Sequence, residues 1–376
     1  MSSPSPQITL PADLRPADGR FGSGPSKVRP DAVAALAAAA PTYLGTSHRQ
    51  SGVRSVVGRL RAGMADLFAL PEGYEVVFGN GGAAYFWDVA LFSLIERRSQ
   101  HLSFGNFSES FAGMVARAAH LDSPDILESP AGTHPDAKPN PDVDAYALTH
   151  NETSTGVAME VVRPAPVEDG LVLVDATSAA GGMRVDPSQF DVYYFSPQKG
   201  FGADGGLWIA LCSPAALERV ERIKASGRWI PESLSLATAV ENARLDQTYN
   251  TPGLATLFLM CDQLEWILAN GGLEWAASRC ETSSNILYGW AEKSDYATPF
   301  VAHSADRSPV VGTVDLDPSI DAKTVTKVLR ANGIVDTEPY RRLGRNQLRV
   351  AMFPAVDPDD VALLTGAVDF VVSALS

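Results

Sequence analysis

The sequence predicts an α/β fold, a mainly parallel sheet sandwiched by helices, followed by a smaller C-terminal α+β unit. Two observations carry this. Apolar strand candidates without polar alternation, EVVFG at 75–79, LVLV at 171–174, DVYYF at 191–195 and GGLWIALC at 205–212, are interleaved with helical patterns. Strands of that kind are buried on both faces, as in parallel sheets covered by helices. After about residue 255 the pattern changes to amphipathic helices separated by two shorter strand candidates. A chain of 376 residues with 45% hydrophobic content is long enough to divide in this way. The expected organisation is an N-terminal arm at 1–20, a large domain at 21–255 and a small domain at 256–376.

The elements follow in order. The first twenty residues, rich in Pro, Ser and Asp, read as a mobile arm. DAVAALAAAA has strong helix propensity and is expected to stop at Pro41, and VVGRLRAGMADLFAL repeats apolar residues at helical spacing up to Pro71. EVVFG then leads through NGG into the helical stretch AAYFWDVALFSLIERR. DAYALTHNETSTG and LVLVDATSAA read as strands running into loops, and PAALERVERIKA as a helix. In the second unit TLFLMCDQLEWILANGG is a helix closed by Gly271-Gly272, with another helix in ETSSNILYGWAEKS. SPVVGTVDL and QLRVAMF are its strands, DAKTVTKVLRANG a helix between them, and DPDDVALLTGAVDFVVSAL a final helix capped by Asp357.

Charge and composition exclude several function classes. A net charge of −14 argues against a nucleic-acid binder, which needs a basic surface to displace counterions. The apolar runs are too short for a membrane span, and the N-terminus lacks a basic start followed by an apolar block, so a cytoplasmic location is expected. Cys212, Cys261 and Cys280 are scattered and read as core residues; no cluster suggests a metal site. Against the acidic background stand two arginine groups, Arg49, Arg54, Arg59 and Arg61, and Arg341, Arg342, Arg345 and Arg349. Arginine suits two-pronged recognition of carboxylate or phosphate, so a small anionic substrate is expected.

The chemistry gathers at strand ends, because ligands of open α/β sheets sit beyond the carboxyl ends of the strands. LVLV runs into Asp175, DVYYF into Gln198 and Lys199, and EVVFG into Gly81-Gly82 at a helix start, where bare backbone N–H groups suit a phosphate. Asp175 and Lys199 lie one strand-crossover-strand apart. A buried carboxylate requires a partner such as a protonated pyridine nitrogen, and a desolvated lysine gives up its proton readily and bonds an aldehyde. Together these residues point to pyridoxal phosphate (PLP).

The stretches FGSGPSKV, SHRQ, NGGAAYF, HNETSTG, SPQKGFGADGG and YNTPGLATLFL resemble the phosphoserine aminotransferase family, of PLP fold-type I, over nearly the whole chain. The resemblance implies Lys199 as the lysine that bonds the cofactor and moves the proton, and Asp175 as the partner of its ring nitrogen. It further implies Phe107 against the ring, where the family often has tryptophan, Thr153 on the ring hydroxyl, and Gln198, Gly82 and Ala83 on the phosphate. Asn250 and Thr251 would reach the phosphate of a neighbouring subunit's cofactor, which implies a homodimer with shared sites. His48 and Arg49 match the family's substrate-binding pair. Near the C-terminus the family's His-Arg pair is replaced by Tyr340-Arg341 and the interval to the next matching arginine, Arg349, is longer. Arg341 and Arg349 are the substrate-binding candidates there, Arg349 for the carboxylate.

The implied reaction is transamination between glutamate and 3-phosphohydroxypyruvate, giving O-phosphoserine and 2-oxoglutarate, in serine biosynthesis. Some relatives also serve the phosphohydroxythreonine step of vitamin B6 (pyridoxine) synthesis. The alternatives are another fold-type I aminotransferase of the alanine–glyoxylate or serine type, and a non-catalytic PLP-binding protein. A cysteine desulfurase is disfavoured, since none of the three cysteines lies in a convincing loop.

Overall fold

The structure, a computed structural model, describes residues 8–164 and 170–375. The large unit comprises α1 (Pro30–Tyr43), α2 (Ser51–Leu67), β1 (Glu75–Asn80), α3 (Ala83–Ser93), β2 (Ser99–Ser103), α4 (Asn106–Val115), β3 (Asp125–Glu128) and β4 (Ala145–Thr149). After the short ladder of β5 (Asn151–Glu152) with β6 (Val157–Ala158) come β7 (Leu171–Asp175), β8 (Val192–Phe195), β9 (Leu207–Cys212), α5 (Pro214–Ala225), α6 (Leu236–Ala243) and α7 (Leu254–Ala269). Then follow α8 (Gly272–Ala291), β10 (Ala297–Pro299), β11 (Val311–Leu316), α9 (Ala322–Ala331), β12 (Gln347–Ala351) and α10 (Pro358–Leu375).

Seven strands form one sheet in the order β1-β9-β8-β7-β4-β2-β3. β9 alone runs against its neighbours β1 and β8, and the remaining pairs are parallel, as the unbroken apolar strands predict. Alternate side chains leave by opposite faces. Val172, Val174, Tyr193, Phe195, Ile209 and Leu211 join the core under α2 and α7. Leu171, Leu173, Val192, Tyr194, Trp208 and Ala210 join the second core, under α3 to α6. Both faces are therefore closed, and only strand ends remain for chemistry.

The smaller sheet, β10-β11-β12, is antiparallel and shares a core with α8, α9 and α10. Asp321 caps α9 by accepting from Lys323 N and Thr324 N, and Asp357 accepts from Asp359 N at 3.0 Å at the start of α10. The change of core falls later than residue 255. Leu257, Met260 and Leu264 of α7 bury against Val53, Val56 and Leu60 of α2, each such side chain contributing about 1.5–3 kcal/mol by leaving water. The divide runs through α8, whose Ala276 and Cys280 belong to the first core and Leu287 and Ala291 to the third.

Three local expectations are corrected. Residues 8–20 are not a free arm: Leu10 is buried in the small-unit core, its N–H donates to Asn332 Oδ1 at 2.9 Å, and Ala17 N donates to Asp360 Oδ1 at 2.7 Å. Residues 1–7 of the expected arm lie outside the described residues. Helix α1 continues two residues past Pro41; the hydrogen bond that Pro41 cannot donate frees the carbonyl of Ala37, an exposed residue, to bond water. Helix α8 starts at Gly272, well before ETSSNILYGW, because Gly271 at φ 118 turns the chain directly out of α7.

Candidate active site

Strands β4, β7 and β8 end abreast, with Thr149 opposite Asp175 and Asp175 opposite Tyr194. Lys199 follows β8 in the loop from Ser196, which is stapled down at both ends. Ser196 Oγ donates to Leu207 O at 2.7 Å, while Ser26 N donates to Gln198 O at 2.8 Å and Ser26 Oγ to Lys199 O at 2.8 Å. The FGSGPS segment thus serves Lys199. Gly24 adopts φ +136, and a Cβ there would lie 2.8 Å from Lys199 Cε, so only glycine fits both the backbone and the lysine stem.

Lys199 is 7% exposed and Nζ donates to Thr153 Oγ1 at 2.8 Å. Thr153 Oγ1 passes its own hydrogen to Ser178 Oγ at 2.8 Å, and Ser178 Oγ donates to Asn151 O at 2.9 Å. Burial pushes the ammonium down to about 8, helped by Arg349 and opposed by Asp175 and Glu152. Nζ also lies 5.4 Å from the centre of the Phe107 ring. Among the described residues Lys199 has no ion-pair partner within bonding distance, so it stands as a buried amine poised near neutrality.

Asp175 is 7% exposed and fully engaged on one side: Oδ1 accepts from Thr177 N at 2.9 Å and Thr177 Oγ1 at 2.6 Å. Oδ2 accepts from Trp87 Nε1 at 3.1 Å and retains capacity for a second donor. Trp87 lies one turn into α3, which starts at Gly82-Ala83 beside the loop carrying Gln198. The opposite wall is the first turn of α4. There Phe107 N and Ser108 N donate to the buried carboxylate of Glu152, at 3.1 and 3.0 Å.

Arg349, from β12 of the small unit, enters the cavity with Nη1 3.4 Å from Thr153 O. Its guanidinium sits 5.2 Å from the centre of the Tyr340 ring, which in turn lies 5.9 Å from Phe107. Burial lowers the proton affinity of Arg349, and its Nε finds no partner. These walls enclose a cavity of about 310 Å³.

Of the residues singled out by sequence, the fold brings Gly82, Ala83, Phe107, Thr153, Asp175, Gln198, Lys199 and Arg349 to this one cavity. His48, Arg49, Asn250 and Thr251 do not line it. They form a separate group, with Thr251 Oγ1 and His48 Nδ1 3.2 Å apart and Arg49 Nη1 donating to Gln247 Oε1 at 2.6 Å. Arg341 is exposed, while Arg342 donates to Asn106 Oδ1 at 2.8 Å beside a neighbouring cavity that shares Tyr340. Sequence reasoning missed Trp87, Ser23, Gly24, Asn151 and Glu152. Glu152 and Asn151 stand inside the quoted HNET run, and Gly24 inside FGSGP, so their motifs were the available signal; Trp87 carried none.

Pyridoxal phosphate fits this cavity on the evidence of its own walls. The buried amine, a carboxylate with spare acceptor capacity and a glycine-started helix lie at different sides of a space lined by an aromatic ring. Asn151 Oδ1 and Arg349 Nε, both buried here, have no partner within the described residues. The fold and site define an aminotransferase of class V, and residues 133–337 match the family of that description. The phosphoserine aminotransferase of Rhodococcus jostii is 58% identical, over 97% of this chain and 98% of its own length. A Mycobacterium avium protein provisionally given the same name is 60% identical over 98% of this chain and 99% of its own. The chain therefore belongs to the phosphoserine aminotransferase family. Among solved structures, a phosphoserine aminotransferase from Cytophaga hutchinsonii superposes with a TM-score of 0.85 at 24% identity, covering 94% of this chain and 99% of that one. A pyridoxamine–pyruvate aminotransferase from Mesorhizobium loti reaches 0.80 at 19% identity, covering 98% and 94%. At such identities these likenesses speak for the fold alone.

Proposed function

We infer that this chain is a PLP-dependent transaminase that moves the amino group of glutamate to 3-phosphohydroxypyruvate, giving O-phosphoserine and 2-oxoglutarate in serine biosynthesis. The observation that carries the reading is the buried seating of Lys199 on Thr153, in one cavity with Asp175 and with Arg349, whose Nε has no partner among the described residues. PLP, when bound, supplies the electron sink that makes the substrate's Cα–H acidic. The side chains do the rest. Asp175 would hold a proton on the ring nitrogen, and the hydrogen bonds from Trp87 and Thr177 keep that carboxylate aimed. Lys199 Nζ, its pKa lowered to about 8, would take the proton from the amino donor's Cα and deliver it to the cofactor's aldehyde carbon, and would carry a proton the other way when the 2-oxo acid is aminated. Phe107 would cover the ring, Thr153 and Asn151 would bind its polar groups, and the N–H groups at Gly82-Ala83 with Gln198 would hold the phosphate. Arg349 is a half-buried cation that pairs with no carboxylate among the described residues, and its buried Nε has no partner there; a substrate carboxylate would remove that cost.

The distal anion of glutamate or the phosphorylated substrate is read by arginine, with Arg341 and Arg49 the candidates from sequence. The assignment of Asn250 and Thr251 to a partner's site is supported by their surface, and His48 and Arg49, which the fold groups with them, would serve the same site. Beside them Leu44, Leu245 and Tyr249 are 38%, 55% and 41% exposed, apolar surface suited to a second copy. Such a homodimer would share sites across its axis. Among the described residues no helix is long and apolar enough to cross a membrane, and no cluster of three metal-ligating side chains occurs. The three cysteines are unpaired and buried, in keeping with a cytoplasmic place. The test is steady-state turnover: glutamate-dependent formation of O-phosphoserine from 3-phosphohydroxypyruvate is expected, with far slower use of glyoxylate. Equal or better turnover with glyoxylate would return the chain to the alanine–glyoxylate type.

A further inference from the structure

We propose that Glu152 is a positioning residue for the cofactor, clamping the first turn of α4 so that Phe107 is held against the cavity. The inference rests on reading the cavity as the PLP site. Glu152 is 0% exposed and forms no ion pair within bonding distance among the described residues. Its oxygens are instead filled by donors from two segments. Oε2 accepts from Phe107 N at 3.1 Å, Ser108 N at 3.0 Å and Ser108 Oγ at 3.1 Å. Oε1 accepts from Ser154 N at 3.1 Å and Ser154 Oγ at 2.6 Å, and Asn106 N donates to that same Ser154 Oγ at 2.9 Å. The first three N–H groups of α4 therefore end on Glu152 or on a hydroxyl that Glu152 holds.

A short neutral side chain satisfies an ordinary helix start, and a buried carboxylate is a costly substitute for it. What the carboxylate adds is reach and two-sidedness. It binds the α4 turn through one oxygen and the chain segment that carries Thr153, the partner of Lys199, through the other. The two walls of the cavity are thereby locked together; burial pushes the Glu152 carboxyl up, while its donors on Ser108 and Ser154 and the positive end of the α4 dipole favour the anion. Gly105 completes the fit: its backbone is extended at φ 176, which any residue adopts, yet a Cβ there would meet Glu152 Cγ at 2.3 Å. The space before α4 is shaped around this side chain.

The experiment is a double-mutant cycle on PLP affinity, using the full chain stripped of cofactor and titrated by absorbance. Glu152→Gln keeps the size and removes the charge; Phe107→Leu removes the ring. Each single change is expected to weaken PLP binding about tenfold, and the double variant to bind no worse than the weaker single, because one acts through the other. The visible circular dichroism of PLP bound to Glu152→Gln should shift toward that of Phe107→Leu. Unchanged affinity in Glu152→Gln, or losses that multiply to about a hundredfold in the double variant, overturns the proposal. Should Glu152→Gln not fold, Ser154→Ala, which removes the hydroxyl on Oε1, goes through the same cycle. Coupling with Phe107→Leu of about threefold is then expected and additivity overturns it. If the unsubstituted apoprotein takes up no PLP, the cofactor reading itself has failed, which is a separate result.

Discussion

Lys199 and Arg49 are both basic residues that stand out in the sequence, and the fold treats them oppositely. Lys199 is 7% exposed, its loop stapled by Ser26 and Ser196 and its amine seated on Thr153. Arg49 lies on the surface at the start of α2 and spends its guanidinium on Gln247. The cofactor end of the site is built and closed within one chain. The Arg49 end is a polar cluster beside exposed apolar side chains, a surface whose chemistry depends on what covers it. On the proposed function, burial separates residues that would work within one chain from residues that would need a partner, where residue type does not.

That contrast can be broken from either side. The largest effect belongs to the closed end: Lys199→Ala should lower turnover by at least about a thousandfold, the scale of a lost general base, and substantial remaining activity would contradict its role. Next comes the open end. If Arg49 serves a partner's site, mixing Lys199→Ala with Arg49→Ala chains under exchange should restore roughly a quarter of native activity, since half of the mixed dimer's sites are intact. A mixture that stays inactive would place Arg49 in its own chain's site, and an Arg49→Ala chain that is active by itself would place it outside the site. A smaller loss follows from Trp87→Phe, which removes one hydrogen bond to Asp175 and should weaken PLP binding about threefold to tenfold in a titration of apoprotein. An unchanged affinity would show that Asp175 is held by Thr177 alone.

The subtlest prediction concerns protons. A lysine lowered to about 8 is neutral over a wider range than one at its ordinary value of 10.5, so the folded chain binds fewer protons than the unfolded chain between these values. Apoprotein stability should accordingly rise with pH across that window, and the rate of PLP uptake by the apoprotein should climb through about pH 8. A climb centred near 10 would mean that Lys199 is solvated.

Much of the architecture was legible because strands buried on both faces leave an apolar run that polar loops interrupt sharply, as at LVLVD and DVYYF. The stretch from β2 to β3 was not. SQHLS is mostly polar yet wholly buried, because its polar groups find partners: Ser99 Oγ meets His101 Nε2 at 2.9 Å, and Gln100 Nε2 donates far along the chain, to Asp125 Oδ2 at 2.9 Å and Lys138 O at 3.0 Å. Propensity cannot see a partner thirty residues away. The same holds in the site. Asp175 and Lys199 were legible because strand ends are where this kind of sheet keeps its ligands, whereas Trp87 reads as one more apolar residue of α3 until its indole is found on Asp175. Glu152 was quoted with its motif, but the donors that give it meaning lie on α4, a helix the sequence left unassigned. At 340–349 the altered interval hid which arginines enter: the strand β12 carries Arg349 into the cavity, whereas Arg341 stays outside.

The central claim, a PLP transaminase whose pocket reads a phosphate, is tested most directly by a half-reaction on the purified holoprotein. O-phosphoserine, serine and alanine are added in parallel and the loss of the cofactor's visible band is followed. Rapid bleaching by O-phosphoserine, with serine and alanine slow, is the predicted result. Bleaching by alanine or serine as fast as by O-phosphoserine would keep the fold and the cofactor but contradict the phosphate-reading pocket.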